Sequence, residues 1–97
     1  MRDRVDIYFE TLMKEPAEYI SDLEKKALSN QVPIIRRATR DLLRYLLHIH
    51  QPERVLEIGT AVGYSALFMK ECLPEHSQID TIEKVSARIR EAKGNFE

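Results

Sequence analysis

The 97-residue sequence predicts an α/β fold, with N-terminal helices followed by the first strand–helix–strand–helix of a parallel, helix-covered sheet. Three observations predict it. Apolar residues recur at helical spacing as far as residue 49. "RVLEIG" and "QIDTIE" are short β-branched runs, and each leads into a further helical pattern.

The elements follow in order. Val5, Tyr8, Phe9 and Leu12 fall at i, i+3, i+4 and i+7, which predicts an amphipathic helix over residues 3–14. Pro16 suits the first turn of a second helix, whose apolar face is Ile20, Leu23 and Ala27. "SNQVP" breaks that pattern, because Pro33 pushes Val32 towards extended backbone. A third helix carries Ile35, Ala38, Leu42, Leu46 and Ile49 on one face, and Pro52 ends it. "RVLEIG" is apolar on consecutive positions, as a strand covered on both faces should be. Residues 63–72 read as a helix stopped by Pro74. "QIDTIE" is a second strand, and Val85, Ile89, Ala92 and Phe96 mark a last helix.

Composition narrows the function classes. A net charge of −1 argues against wholesale attraction to nucleic acid or membrane. No apolar run approaches a membrane span, and "MRDRVDIYFE" lacks a signal peptide's apolar stretch. Cys72 is the single cysteine, so a reducing, cytoplasmic setting is expected. The charge is uneven. Residues 1–24 hold seven acids against three bases, whereas Arg36, Arg37, Arg40, Arg44 and Arg54 dominate residues 34–54. Arg36, Arg40, Arg44 and His48 repeat at i+4. That stripe is either a solvated helix face or a landing strip for RNA phosphates. His48 and His50 lie two apart on a helix end and face different directions, which argues against a paired metal site.

"VLEIGTAVGYSALF", residues 55–68, carries the chemistry. In open α/β sheets ligands bind beyond the carboxyl ends of the strands, where residues 57–65 lie. Gly59 lets the backbone approach a ligand, Gly63 permits a tight helix entry, and the helix start suits an anion. A dinucleotide loop, G-x-G-x-x-G, would need glycines where Ala61 and Tyr64 stand, which disfavours a nicotinamide-dependent oxidoreductase. A single ligand carboxylate fits the loop, and Glu57 can answer an ammonium group. Glu83 closes the second strand, 24 residues after Gly59, where a carboxylate can accept ribose hydroxyls. A ligand with an amino-acid end and a nucleoside end is S-adenosylmethionine.

"VLEIGTAVGYSALFMKECLPEHSQIDTIEK" resembles motif I and the following acidic strand of class I methyltransferases. "EIGTAVGYSA" is similar in particular to the Mg2+-dependent small O-methyltransferases of catechol and caffeoyl-CoA type. The likeness extends to the bacterial branch that methylates 5-hydroxyuridine in tRNA. It covers nearly the whole chain, most weakly before Asn30. The resemblance implies a Rossmann-like sheet, present here as a partial domain, with residues 1–30 a helical extension and 31–97 the first half of the cofactor-binding domain. It places Glu57 near the methionyl end, gives Gly59 and Thr60 backbone contacts, and sets Ser65 on the methionine carboxylate. Glu83 would hold the ribose, and Ile35 would close over the cofactor.

Family members run to roughly twice this length. The Mg2+ ligands and the catalytic residues of the family are expected beyond this chain, so the chain alone is expected to be inactive. The rival reading is a non-catalytic α/β module that self-associates and binds cofactor weakly or not at all. On either reading a homo-oligomer is expected, because the first strand has an edge and faces to cover. Tyr64 is open between packing and cofactor contact. Cys72 is expected to pack as a small apolar side chain.

Overall fold

The computed structural model describes Arg4, Val5 and residues 15–97. The first predicted helix falls almost wholly outside the described residues; Arg4 and Val5 are helical. The described elements run α1 (Glu18–Ser29), α2 (Arg37–His50), β1 (Arg54–Ile58), α3 (Tyr64–Cys72), β2 (Gln78–Ile82) and α4 (Ser86–Phe96).

Local chemistry explains the boundaries. The backbone N–H of Asn30 donates to Lys26 and that of Val32 to Ala27, closing α1 ahead of Pro33. Gln51 ends α2 in the left-handed region at φ 46°, donating to the Leu47 carbonyl at 2.8 Å, one residue before Pro52. β1 and β2 pair in parallel from Arg54 against Gln78 to Ile58 against Ile82. That register puts Glu57 beside Thr81. Both strands therefore end at the same level.

Helix α3 is the hub, packing against α1, α2 and β2. One core cluster joins Ile20, Leu23 and Ala27 of α1 to Val32, Val62, Tyr64 and Phe68. A second joins Leu47 of α2 to Met69 and Leu73, with Val55 and Ile79 of the strands against it. Each large apolar side chain so buried contributes about 1.5–3 kcal/mol relative to exposure.

Two expectations are corrected here. Helix α2 does not turn its apolar stripe inward: Ala38, Leu42, Leu46 and Ile49 are exposed, and Ile35 lies ahead of the helix. Its inward face is Arg40, Leu43, Arg44 and Leu47, which share the same i, i+3, i+4, i+7 period. Nor is β1 covered on both faces. Val55 and Glu57 are half-buried, but Leu56 is 64% and Ile58 75% exposed, because the packing helices meet only the Val55–Ile79 side. Leu42, Leu46 and Leu56 border an open apolar groove beside β1.

Candidate functional site

The site is built where β1 ends. Gly59, Ala61 and Gly63 all have positive φ (93°, 49° and 93°), so the loop turns at every second residue. Such alternation aims successive backbone N–H groups to one side. The end of β2 receives them. The N–H groups of Gly59 and Thr60 donate to the Ile82 carbonyl at 2.8 and 3.2 Å, and that of Ala61 donates to Glu83 Oε1 at 2.8 Å. Glu83 Oε2 accepts the N–H groups of Lys84 and Val85, each at 3.1 Å. The bond from Ala61, then those from Val85 and Lys84, hold the Glu83 carboxyl below the usual glutamate value. The loop thus closes on a carboxylate of its own chain.

Glu57 is the second carboxylate. Thr81 Oγ1 donates to its Oε1 at 2.8 Å and Ser65 Oγ donates to its Oε2. Thr60 and Thr81 hydroxyls are 2.5 Å apart, so the chain of bonds runs from Thr60 through Thr81 to Glu57. A carboxylate offers about four acceptor positions, and two hydroxyls leave two open for a cationic ligand group. Thr81 had no signal as a single residue. Its place follows only from the register, which pairs it with Glu57.

A cavity of about 310 Å³ opens above these groups. Ile35, Glu57, Gly59, Thr60 and Ser65 line it, together with Tyr64 and the 33–34 segment. Five of the seven cofactor positions expected from sequence thus surround one space. A Cβ on Gly59 would meet nothing within 4 Å, so its glycine serves the φ of 93° and leaves the approach open. At the start of α3 the cap residue Gly63 supplies no side-chain bond, so first-turn N–H groups remain available to an anion.

The remaining two expected positions lie elsewhere. Glu83 borders an adjoining cavity of about 330 Å³ between β2 and α4, with Thr60 shared by both. Gly63 is buried under α4: a Cβ there would lie 2.5 Å from Phe96 Cε1. Asn95 Nδ2 also donates to the Val62 carbonyl at 2.8 Å, so the last turn of α4 holds the loop from beneath.

Tyr64 resolves towards packing. It is 1% exposed and its hydroxyl lies 3.2 Å from both Arg40 Nη1 and Glu24 Oε2. Arg40 is also 1% exposed, stands over the Phe68 ring and reaches Asp41 at 3.4 Å. Burial opposes its charge, but Tyr64 and Asp41 outweigh burial and raise its pKa. Arg44 also stands over the Phe68 ring, 5.1 Å from its centroid, and its Nη1 lies 3.4 Å from Asp41. The arginine stripe is therefore corrected. Of its three arginines Arg36 faces solvent, Arg44 is half-buried against Phe68 and Asp41, and Arg40 is buried. Cys72 is half-buried against both core clusters, and burial pushes its thiol pKa up.

Among the described residues no group of three or more His, Cys, Asp or Glu side chains could hold a metal ion. No helix there is long and apolar enough to cross a membrane.

Known proteins share this fold. A putative caffeoyl-CoA O-methyltransferase from Staphylococcus aureus superposes with a TM-score of 0.89 at 33% identity, covering 97% of this chain and 44% of that one. The O-methyltransferase TomG from Streptomyces achromogenes, solved in complex with SAM, gives 0.79 at 29% identity, over 95% and 42%. The protein-L-isoaspartate O-methyltransferase of Shewanella sp. (strain ANA-3) is 36% identical over 62 residues, which are 64% of this chain and 27% of that protein. The chain thus spans less than half the length of these relatives. The O-methyltransferase family model matches residues 10–95, taking in α1 to α3, both strands, the loop between them and all but the last residue of α4, so the chain belongs to that family.

Proposed function

We propose that this chain is the cofactor-binding half of an S-adenosylmethionine-dependent O-methyltransferase. The observation that carries the reading is the cavity at the strand ends, where Ile35, Glu57, Gly59, Thr60 and Ser65 meet in a chain of this family. On this reading the two open acceptor positions of Glu57 take the methionyl ammonium. The first-turn N–H groups of α3 take the carboxylate, and the Ser65 hydroxyl, whose one proton goes to Glu57 in the free chain, joins them by turning from Glu57 to the ligand. Ile35 closes the apolar side of the cavity over the cofactor. Glu83 already accepts three backbone N–H groups, so it has room for one ribose hydroxyl while it keeps the loop closed. Gly63 acts beneath the loop as a packing position.

The bound cofactor supplies an electrophilic methyl group on its sulfonium; the residues of this chain bind and orient it. The acceptor is a hydroxyl, on a catechol-like ring or on 5-hydroxyuridine of tRNA. That choice rests on sequence resemblance, and the buried Arg40 lends the RNA alternative no support. The Mg2+ that the family resemblance implies finds no fitting cluster among the described residues. No residue here is assigned as general base. Cys72, a lone thiol, suits a reducing cytoplasmic setting.

Calorimetric titration with S-adenosylhomocysteine tests the proposal. Saturable binding supports it. No binding by folded protein removes the cofactor reading and leaves the self-associating module, which the exposed Leu56 and Ile58 favour. Incubation with radiolabelled cofactor and catechol or hydroxylated tRNA should give no transfer by the chain alone, and label on either acceptor would show that it carries its own chemistry.

A further inference from the structure

The buried polar cluster of Glu24, Arg40 and Tyr64 is not used by the proposed cofactor contacts, yet one of its members lines the cavity. Tyr64 is the first residue of α3. Its main chain joins the loop at Gly63 to Ser65, the residue bonded to Glu57. Its hydroxyl points away from the loop and lies 3.2 Å from Glu24 of α1 and 3.2 Å from Arg40 of α2. Glu24 is fixed in turn by Arg37, whose Nη2 and Nε donate to it at 2.9 and 3.3 Å. Three helices therefore meet on one phenol.

We propose that Tyr64 is a positioning residue for the cofactor site, locked by Glu24 and Arg40, so that docking of α1 and cofactor binding are coupled. The proposal rests on the cofactor reading above. Rotating Tyr64 about its backbone would move Ser65 and the first-turn N–H groups together, since all sit on one rigid turn. An apolar anchor would fill the same space without setting that rotation. A hydroxyl held by two charged groups on separate helices sets it in direction as well as depth. Coupling of this kind is reciprocal: what holds α1 in place tightens the site, and the ligand tightens α1.

The test compares the full chain with Tyr64→Phe, Glu24→Gln and Leu47→Ala by calorimetry with S-adenosylhomocysteine. Stoichiometry reports the folded fraction, and Kd reports the geometry of the folded site. Tyr64→Phe and Glu24→Gln should each raise Kd at least fivefold, and the double variant should raise it no further than the worse single one. Leu47→Ala, in the other core cluster, should lose stability with Kd unchanged. If Tyr64→Phe does not fold, Glu24→Gln decides alone. Unmutated protein that binds, with either variant within twofold of it, overturns the positioning role and leaves the cofactor reading intact. Unmutated folded protein that gives no binding overturns the cofactor reading, and this role with it.

Discussion

Glu57 and Thr81 face each other across the β1–β2 pair, and the Thr81 hydroxyl donates to Glu57 Oε1 at 2.8 Å. The parallel register makes the contact, because both strands reach the cavity at the same level. Thr81→Val keeps the shape and removes the donor. A hydrogen bond to a charged group contributes about 1.5–3 kcal/mol, and Ser65 stays to hold the other oxygen. The bond acts on the ligand only through the aim of Glu57, so about half of that should appear in binding, and the variant should bind S-adenosylhomocysteine roughly threefold to tenfold more weakly. Calorimetric affinities equal to the unmutated chain would take Thr81 out of the site.

Glu83 does two things at once, accepting the Ala61 N–H and standing ready for a ribose hydroxyl. Glu83→Ala should weaken S-adenosylhomocysteine at least tenfold, about 1.4 kcal/mol or more. Amide exchange at Ala61 should also accelerate in the free protein, because its acceptor is gone. An unchanged affinity would remove Glu83 from cofactor binding, whatever happened to the loop.

The two loop glycines should respond differently to alanine. At both, φ of 93° costs an L-residue about 1–2 kcal/mol. At Gly63 the new Cβ would also meet Phe96 at 2.5 Å, whereas at Gly59 nothing lies within 4 Å. Phe96 is 43% exposed and can give way, so the overpacking cost falls at the low end, about 1 kcal/mol, and Gly63→Ala should still be the more destabilising in urea unfolding. In a Phe96→Ala background the difference between the two should vanish. If it persists, contact with Phe96 is not its cause.

Stability should fall in acid through Glu24. Burial raises the pKa of its carboxyl, but the Arg37 hydrogen bond and charge, with Tyr64 and Arg40, outweigh burial and lower it below 4.5. A depressed folded value means a contribution fully present above the unfolded value and lost as pH falls through the folded one. Urea midpoints should therefore decline below about pH 4.5, and Glu24→Gln should flatten that decline. Tyr64 works at the other end. Burial is the main cause raising its pKa above 10.0, so its share is present below that pH and lost as pH rises through the folded value. Identical acid limbs for Glu24→Gln and the unmutated chain would remove Glu24 as the source.

Self-association is expected from the uncovered side of the sheet. Leu56, Ile58 and Ile82 are exposed, and Leu42 and Leu46 of α2 border the same edge. An apolar edge strand of this kind favours pairing with another chain. Sedimentation equilibrium at micromolar concentration should give a mass above the 11.3 kDa of one chain. A single species at the chain mass with cooperative thermal unfolding would refute it.

Much of the candidate site could be read from the residues themselves. A β-branched run ending in an acid and two glycines, followed by a helical pattern, locates a loop at a strand end whatever the rest of the chain does. The acid closing the second run then falls at the neighbouring strand end, because strands advance evenly along the chain. What needed the tertiary structure was the choice among faces. On α2 two stripes share the helical period, Ala38–Leu42–Leu46–Ile49 and Arg40–Leu43–Arg44–Leu47, and hydropathy alone selects the first. The fold buries the second. Arg40 can go inside because Glu24, 16 residues earlier, and Tyr64, 24 residues later, arrive at its guanidinium in space. A buried charge is tolerated only when such partners meet it, and no local period records a partner brought in from another helix. The same holds for Glu83, whose bond to Ala61 spans 22 residues and exists only once the two strands lie side by side.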